Sequence, residues 1–395
     1  MKLAVIGFGN AGGKIADHLL GFERETGRSL CRFASAFNTA RIDLEKIEYI
    51  PEDYRVLYGQ TDERAKGHGV GADPDLGAEI TRADLREIER VLDGVPVYDV
   101  DAFLVIAGLG GGTGSGGAPV MATTLAEQFD QPIYGLGVLP SQDEGGRAAL
   151  NAARSLPTFN EATDALVLFD NEAWREGRDS IEAGYDRTNR EIARRIVTLL
   201  GAGDWDGSTV SENAMDASDI KRTLATGGIA TIAFAETERS EETERQTGLL
   251  ARLQGSSATR PTTDGADPVA KVHGLVQRSV RSRLTCPADV QSAERALVVL
   301  SGPPQEFSQK GLERARRWLE GEIDSAEVLA GDDPREEADA LSATVLLSSV
   351  TEVPRIRRLQ EQAVAAQESI ERQAATREEE TATLLTDEEH KLDPV

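Results

Sequence analysis

Residues 102–117 read AFLVIAGLGGGTGSGG: an apolar strand that empties into ten residues, seven of them glycine. Glycine packs no side chain and loses the most backbone entropy on ordering, so residues 108–117 read as a loop and not as a core element. Residues 119–129 behind it follow a helical pattern. A buried strand, a bare-backbone loop and a helix start together bring N–H groups, and the positive end of a helix, up to an anion. Thr113 and Ser115 add hydroxyl donors. The expectation is a phosphate site.

Working outward, apolar runs at residues 3–6, 33–37, 56–58, 133–139 and 165–169 read as further strands. Helical patterns lie between several of them, at residues 12–25, 81–92 and 146–161. This alternation predicts an α/β fold built on a doubly wound parallel sheet, with ligands at the carboxyl ends of the strands. Residues 181–200 form a long helical pattern with Ile181, Tyr185, Ile192, Ile196 and Leu199 on one face, stopped at Gly201. Beyond it, strands are expected at 229–235, 296–300 and 343–350, and helices at 216–226, 268–284 and 307–323, as a smaller α+β activation domain. Residues 255–266 (GSSATRPTTDGA) read as a surface loop. From residue 355 a helix rich in Gln, Glu, Ala and Arg leads into a mobile acidic tail, residues 378–395. The chain thus divides into residues 1–180 for nucleotide binding, 181–203 for a core helix, 204–352 for the activation domain and 353–395 for the C-terminal helix and tail.

The chain has 395 residues, 39% of them hydrophobic, and a net charge of −25. That balance excludes nucleic acid as a partner, because phosphate contacts need clustered Lys and Arg. Only eight Lys stand against 35 Arg. An acidic, Lys-poor surface suits a protein kept soluble in high salt, where screening removes self-repulsion. Cys31 and Cys286 are the only cysteines, too few for a metal cluster or a disulfide framework, and a reducing cytoplasm is expected. No apolar run approaches the ~20 residues needed to span a bilayer. The N-terminus MKLAVIGFG is a strand entering a glycine turn, not a signal peptide, and no basic amphipathic helix points to a membrane surface.

A second glycine loop, Gly7-Phe-Gly9-Asn-Ala-Gly12-Gly13, follows the first strand. Alone, G-x-G-x-x-G most often marks a dinucleotide site, and a Rossmann-type NAD(P) oxidoreductase is one alternative. That reading wants an acid at the end of the next strand. Here the strand ends Phe37-Asn38-Thr39. Two phosphate loops on one sheet suit a polyphosphate nucleotide better. Residues 67–74 (GHGVGADP), 139–146 (LPSQDEGG) and 169–174 (FDNEAW) supply three more loops, and G-x-x-x-x-G-K-[ST] is absent.

GGGTGSGG resembles the tubulin/FtsZ superfamily signature, and the ordered series GFGNAGGK, FNTA, GHGVGADP, GGGTGSGG, LPSQDEGG and FDNEAW follows that superfamily's order. With its acidic, Lys-poor surface the chain most resembles the haloarchaeal CetZ group, over residues 1–350. The resemblance implies GTP and GDP as ligands, with Mg²⁺, and these roles. Gly9, Asn10 and Ala11 line the α- and β-phosphates. Gly110, Gly111, Gly112, Thr113, Gly114 and Ser115 bind the β- and γ-phosphates. Gly71 and Ala72 face the γ-phosphate. Glu144 accepts from the ribose, Asn171 and Asn189 bond the guanine edge, and Tyr185 stacks on the base; residues 185 and 189 share a helix face. The resemblance also implies a site completed by the next subunit, whose Asp216 and Asp219, within residues 211–220 (SENAMDASDI), polarise the attacking water. Hydrolysis then depends on head-to-tail polymerisation, and control of cell shape is the implied process. The tail is expected to dock partner proteins.

The FNTA loop carries Ala40 where bacterial members typically have an acid, and Asp73 in GHGVGADP, the third loop of the series, is a candidate outer-shell metal ligand; no metal ligand is assigned. Asp216 and Asp219 also fit a helix N-cap and its first-turn acid. Tyr185 also fits a core position, and Glu144 a solvated charge. A tubulin-fold regulator that binds nucleotide without polymerising is the other alternative.

Overall fold

The computed structural model describes residues 1–175, 181–202, 215–237, 267–325 and 327–385. Among the described residues ten strands form one sheet in the order β3-β2-β1-β4-β5-β6-β7-β10-β8-β9. They are β1 Leu3–Phe8, β2 Cys31–Asn38, β3 Arg55–Leu57, β4 Ala102–Gly108, β5 Ile133–Leu139, β6 Ala165–Asp170, β7 Ile229–Glu236, β8 Arg295–Gly302, β9 Val328–Pro334 and β10 Ser342–Ser348. The first seven in the order run parallel, and β10 is antiparallel to both β7 and β8. The sheet of the first half therefore continues into the second through β6 and β7, paired at Leu166–Ile229 and Val167–Ala230.

Helices cover both faces: α1 Gly9–Thr26, α2 Arg41–Leu44, α3 Pro74–Ala83, α4 Leu85–Leu92, α5 Thr113–Gln128, α6 Gly146–Glu161, α7 Asn171–Trp174, α8 Ile181–Leu200, α9 Ala217–Leu224, α10 Pro268–Arg281, α11 Gln309–Glu322 and α12 Pro354–Leu385. Central strands are apolar on both faces because both are covered. Phe103, Val105 and Ala107 of β4 join Met121 and Leu125 of α5 in one core. Leu104 and Ile106 join Ile15, Leu19, Ile192 and Ile196 of α1 and α8 in the other. Period-two alternation along the strand makes that division.

Four expectations need correction. The glycine run is not all loop: α5 begins at Thr113, and Gly112, Gly114, Gly116 and Gly117 are buried. A Cβ on Gly116 would lie 2.1 Å from Pro74 O, so the missing side chains let α5 press onto α3. The helix expected at 81–92 is two helices, broken where Asp84 leaves helical geometry and accepts from Gly59 N at 2.6 Å. β9 (VLAGDDP) was not expected as a strand. Finally, α12 continues to Leu385, into the stretch read as tail. The loop expected at 255–266 and the C-terminal residues 386–395 lie outside the described residues. Among the described residues no helix is long and apolar enough to cross a membrane.

Candidate functional site

The strand order turns back between β1 and β4, the topological switch point at which open α/β sheets bind ligands. The loops after β1 and β4 meet there: a Cβ on Gly9 would lie 2.9 Å from Gly114 N. α1, α5 and α6 all start at this edge, after β1, β4 and β5, and none has a side-chain cap or an acid in its first turn. Three helix starts without a capping side chain or a first-turn acid form a cradle of leading N–H groups that suits an anion. Asn10, Ala11 and Gly111 are exposed in it.

The hydroxyls are tied to the frame. Thr113 Oγ1 lies 2.7 Å from Thr39 Oγ1, which joins the FNTA loop to the glycine loop. Ser115 Oγ donates to Gly111 O. In the third loop, Gly71 and Ala72 are exposed, with φ of +60° and +59°. Asp73 caps α3, its Oδ1 accepting from Asp75 N at 3.0 Å and Leu76 N at 3.1 Å. Among the described residues no three His, Cys, Asp or Glu side chains gather to hold a metal.

At the other end of the cradle Glu144, Asn171 and Tyr185 come together from three elements. Glu144 Oε1 accepts from Ser141 N at 2.8 Å and from Asn171 Nδ2 at 3.2 Å. Burial and the Glu144 carboxylate beside it push the Tyr185 phenol up to about 12. Asn189, 7% exposed, lies one turn further along α8. Ile192, Ile196 and Leu199 are buried as expected; the side chain of Ile181 lies outside the described residues.

Two supporting residues escaped the sequence reading. Asn151 of α6, 3% exposed, donates from Nδ2 to Ala72 O at 2.9 Å, Gly110 O at 3.1 Å and Gly111 O at 3.3 Å. Arg355 of α12, fully buried, donates to Asp170 Oδ1 at 2.9 Å and Pro140 O at 2.7 Å. It joins the ends of β5 and β6, from which the loops carrying Glu144 and Asn171 depart. Burial pushes the Asp170 carboxyl up, against the pull of Arg355. Asn151 is marked in the sequence only as a polar residue in a helical pattern, and Arg355 is one of several arginines at the head of its helix.

Asp216 and Asp219 lie apart from the cradle. Asp216 caps α9 and accepts from Ser218 N at 2.7 Å, while its own N–H donates to Asp219 Oδ2 at 3.2 Å. The capping alternative is thus realised. The Ser218 hydrogen bond holds the Asp216 carboxyl below its usual range, helped by backbone N–H groups and the ammonium of Met1. Met1 precedes β1, so Asp216 sits at the amino edge of the sheet. Lys221 on the same helix reaches Asp101 Oδ1 at 3.6 Å, at the start of β4. The glycine loop leaves the far end of β4, about 20 Å away along seven residues. Residues 211–214 of the expected catalytic loop lie outside the described residues.

Comparison with known proteins fits this frame. Residues 2–179 match a family model described as Tubulin/FtsZ family, GTPase domain, and residues 178–365 match one described as Tubulin-like CetZ, C-terminal domain. The tubulin-like protein CetZ1 of Haloferax volcanii is 48% identical over 372 residues, 94% of each chain. The chain belongs to the CetZ family of the tubulin/FtsZ superfamily. A solved structure described as a GDP-bound monomer of CetZ1 from Haloferax volcanii superposes with a TM-score of 0.80 at 45% identity, covering 93% of this chain and all of that one. A GTPγS-bound protofilament of CetZ2 from the same organism gives 0.80 at 39% identity, covering 94% and 100%. The oxidoreductase alternative falls with this membership. The fold shared with these CetZ structures is that of the α/β sheet described above.

Proposed function

We propose that the chain binds GTP and GDP in the carboxyl-edge cradle, hydrolyses GTP and polymerises head to tail. Gly9, Asn10 and Ala11 take the α- and β-phosphates, and Gly110, Gly111, Gly112, Thr113, Gly114 and Ser115 the β- and γ-phosphates. Backbone N–H groups do most of this work, since the Ser115 hydroxyl already donates to Gly111 O; the Thr113 hydroxyl can donate to phosphate while accepting from Thr39. Gly71 and Ala72 face the γ-phosphate. Asn171 and Asn189 take the guanine edge, Tyr185 the ring, and Glu144 the ribose hydroxyls, exchanging its present bond from Asn171. The CetZ structures described with GDP and GTPγS support the choice of nucleotide. Mg²⁺ enters with the nucleotide, on phosphate and water oxygens, because no carboxylate cage exists among the described residues. The family suggests cell shape as the process served.

One observation carries the reading: the acids and the cradle occupy opposite edges of one sheet. A chain built so cannot bring Asp216 and Asp219 to its own γ-phosphate, but stacking a second copy edge to edge does so. That contact is heterologous and does not close, so it grows a filament, the assembly in which CetZ2 is described. The test is GTP turnover against protein concentration in high salt, with light scattering alongside. Turnover per molecule is expected to rise steeply as scattering appears. Flat turnover sinks the interface site, and absence of guanine-nucleotide binding sinks the whole reading.

A further inference from the structure

Gly71 and Ala72 form the centre of a tight turn, closed by Asp73 N donating to Val70 O at 3.1 Å. With φ of +60° and +59° this is a type I′ turn, which needs positive φ at both central positions. Glycine adopts that conformation freely, whereas alanine does so only under strain. Strained backbone persists where its surroundings hold it, and here the holder is visible. The Ala72 carbonyl accepts from the Asn151 amide, which also reaches Gly110 O and Gly111 O. An amide has two hydrogens, so three carbonyls on two loops share two donors. Gly111 O also accepts from Ser115 Oγ. A hydrogen-bonded chain thus runs from the first turn of α5 through the glycine loop and Asn151 to the strained turn. Asn is a poor helix former and gains nothing from this site except those bonds.

We infer that Asn151 is a positioning residue that couples the Gly71–Ala72 turn to the glycine loop and so sets the preference for triphosphate over diphosphate. The inference rests on the reading that both loops face the phosphates of one nucleotide. A shift of the glycine loop around a γ-phosphate moves the Gly110 and Gly111 carbonyls, and Asn151 passes that shift to Ala72 O. Without the amide the turn responds to nucleotide on its own.

Equilibrium binding of GDP and GTPγS to the full chain, below its assembly concentration, tests this. The native chain is expected to prefer GTPγS. Asn151→Ala keeps GDP affinity within about twofold and loses at least about fivefold of the preference. Asn151→Ser, with a shorter donor, recovers part of it. Thermal melting without nucleotide reports whether each variant folds; if Asn151→Ala does not, Asn151→Ser decides, with an intermediate preference expected. An equal fall in both affinities makes Asn151 a scaffold residue and overturns the inference, as does an unchanged preference. A native chain that binds both nucleotides equally overturns it too, while the function reading survives. A native chain that binds neither overturns that reading instead.

Discussion

Lys221 and Asp101 form an ion pair 3.6 Å long that ties α9 to the start of β4. It holds Asp219, two residues before Lys221, at the amino edge of the sheet, while β4 carries the glycine loop at its other end. The separation predicts complementation in mixed filaments. Asp219→Asn keeps an acceptor for Asp216 N, so α9 stays capped and the cradle stays whole. It should bind GTP normally and turn it over at least about 100-fold more slowly. Gly111→Asp, with a carboxylate in the cradle, should bind none. Each alone is inactive. An equimolar mixture puts a good cradle against good acids at roughly one interface in four, so about a quarter of native turnover should return. A mixture as inactive as its parts would show that each chain uses its own acids.

The glycines of the signature should separate by role. A Cβ on Gly111 meets nothing within 4 Å, whereas one on Gly116 meets Pro74 O at 2.1 Å and Ala78 N at 2.7 Å. Gly111→Ala should leave folding stability within about 0.5 kcal/mol and weaken nucleotide binding. Gly116→Ala forces α5 off α3 and should cost about 3 kcal/mol or more. Urea unfolding with nucleotide absent, paired with GDP titration, measures both. Equal destabilisation by the two would refute the division.

The same glycines mark what could be read from sequence. Their clustering after an apolar strand points to a backbone-lined anion site, and the family resemblance names Glu144, Asn171 and Tyr185 as companions, three side chains that the fold brings together. The helix start at Thr113 was hidden because glycine is a helix breaker by propensity; only the close approach of α3 makes its bareness useful. β9 was hidden because Gly331, Asp332, Asp333 and Pro334 read as a turn. Asp333 enters the sheet because Arg28 lies 2.8 Å from its carboxylate and Ser301 donates to it at 2.8 Å, partners far away in the chain. Asn151 and Arg355 have the same character: each is one polar residue in a helix, and its meaning lies in carbonyls and carboxylates that sequence windows do not contain.

Arg355 should be a keystone of the loops that carry Glu144 and Asn171. Both it and Asp170 are almost fully buried. Removing one partner of a buried ion pair leaves a bare charge, and Arg355→Met should cost about 3–5 kcal/mol. Adding Asp170→Asn to it should recover part of that loss, since the uncompensated carboxylate is then gone. Because Arg355 also donates to Pro140 O, the single variant should weaken guanine-nucleotide binding as well. A double-mutant cycle by urea unfolding checks the first point and GDP titration the second. Strict additivity of the two substitutions would deny the pairing.

The Asp216 cap predicts a pH signature. Its carboxyl is held below the ordinary value of 3.8, chiefly by Ser218. A carboxyl depressed in the folded state contributes stability above its unfolded pKa, and that contribution is lost as pH falls through the folded value. Asp216→Asn keeps the N-cap, because Asn caps as well as Asp, but it cannot titrate. The native chain should therefore melt above Asp216→Asn by a constant margin from neutral pH down to about pH 5. The margin should shrink below about pH 4 and vanish once the folded carboxyl is protonated. A margin that closes near pH 6 would mean that Asp216 is not held ionised by this cap. It would also count against the proposed water-polarising role of Asp216, because a fraction of chains would carry the carboxyl neutral at working pH. Thermal melts across pH 3–7 in constant high salt, with the screened surface charge thereby held fixed, resolve the two outcomes.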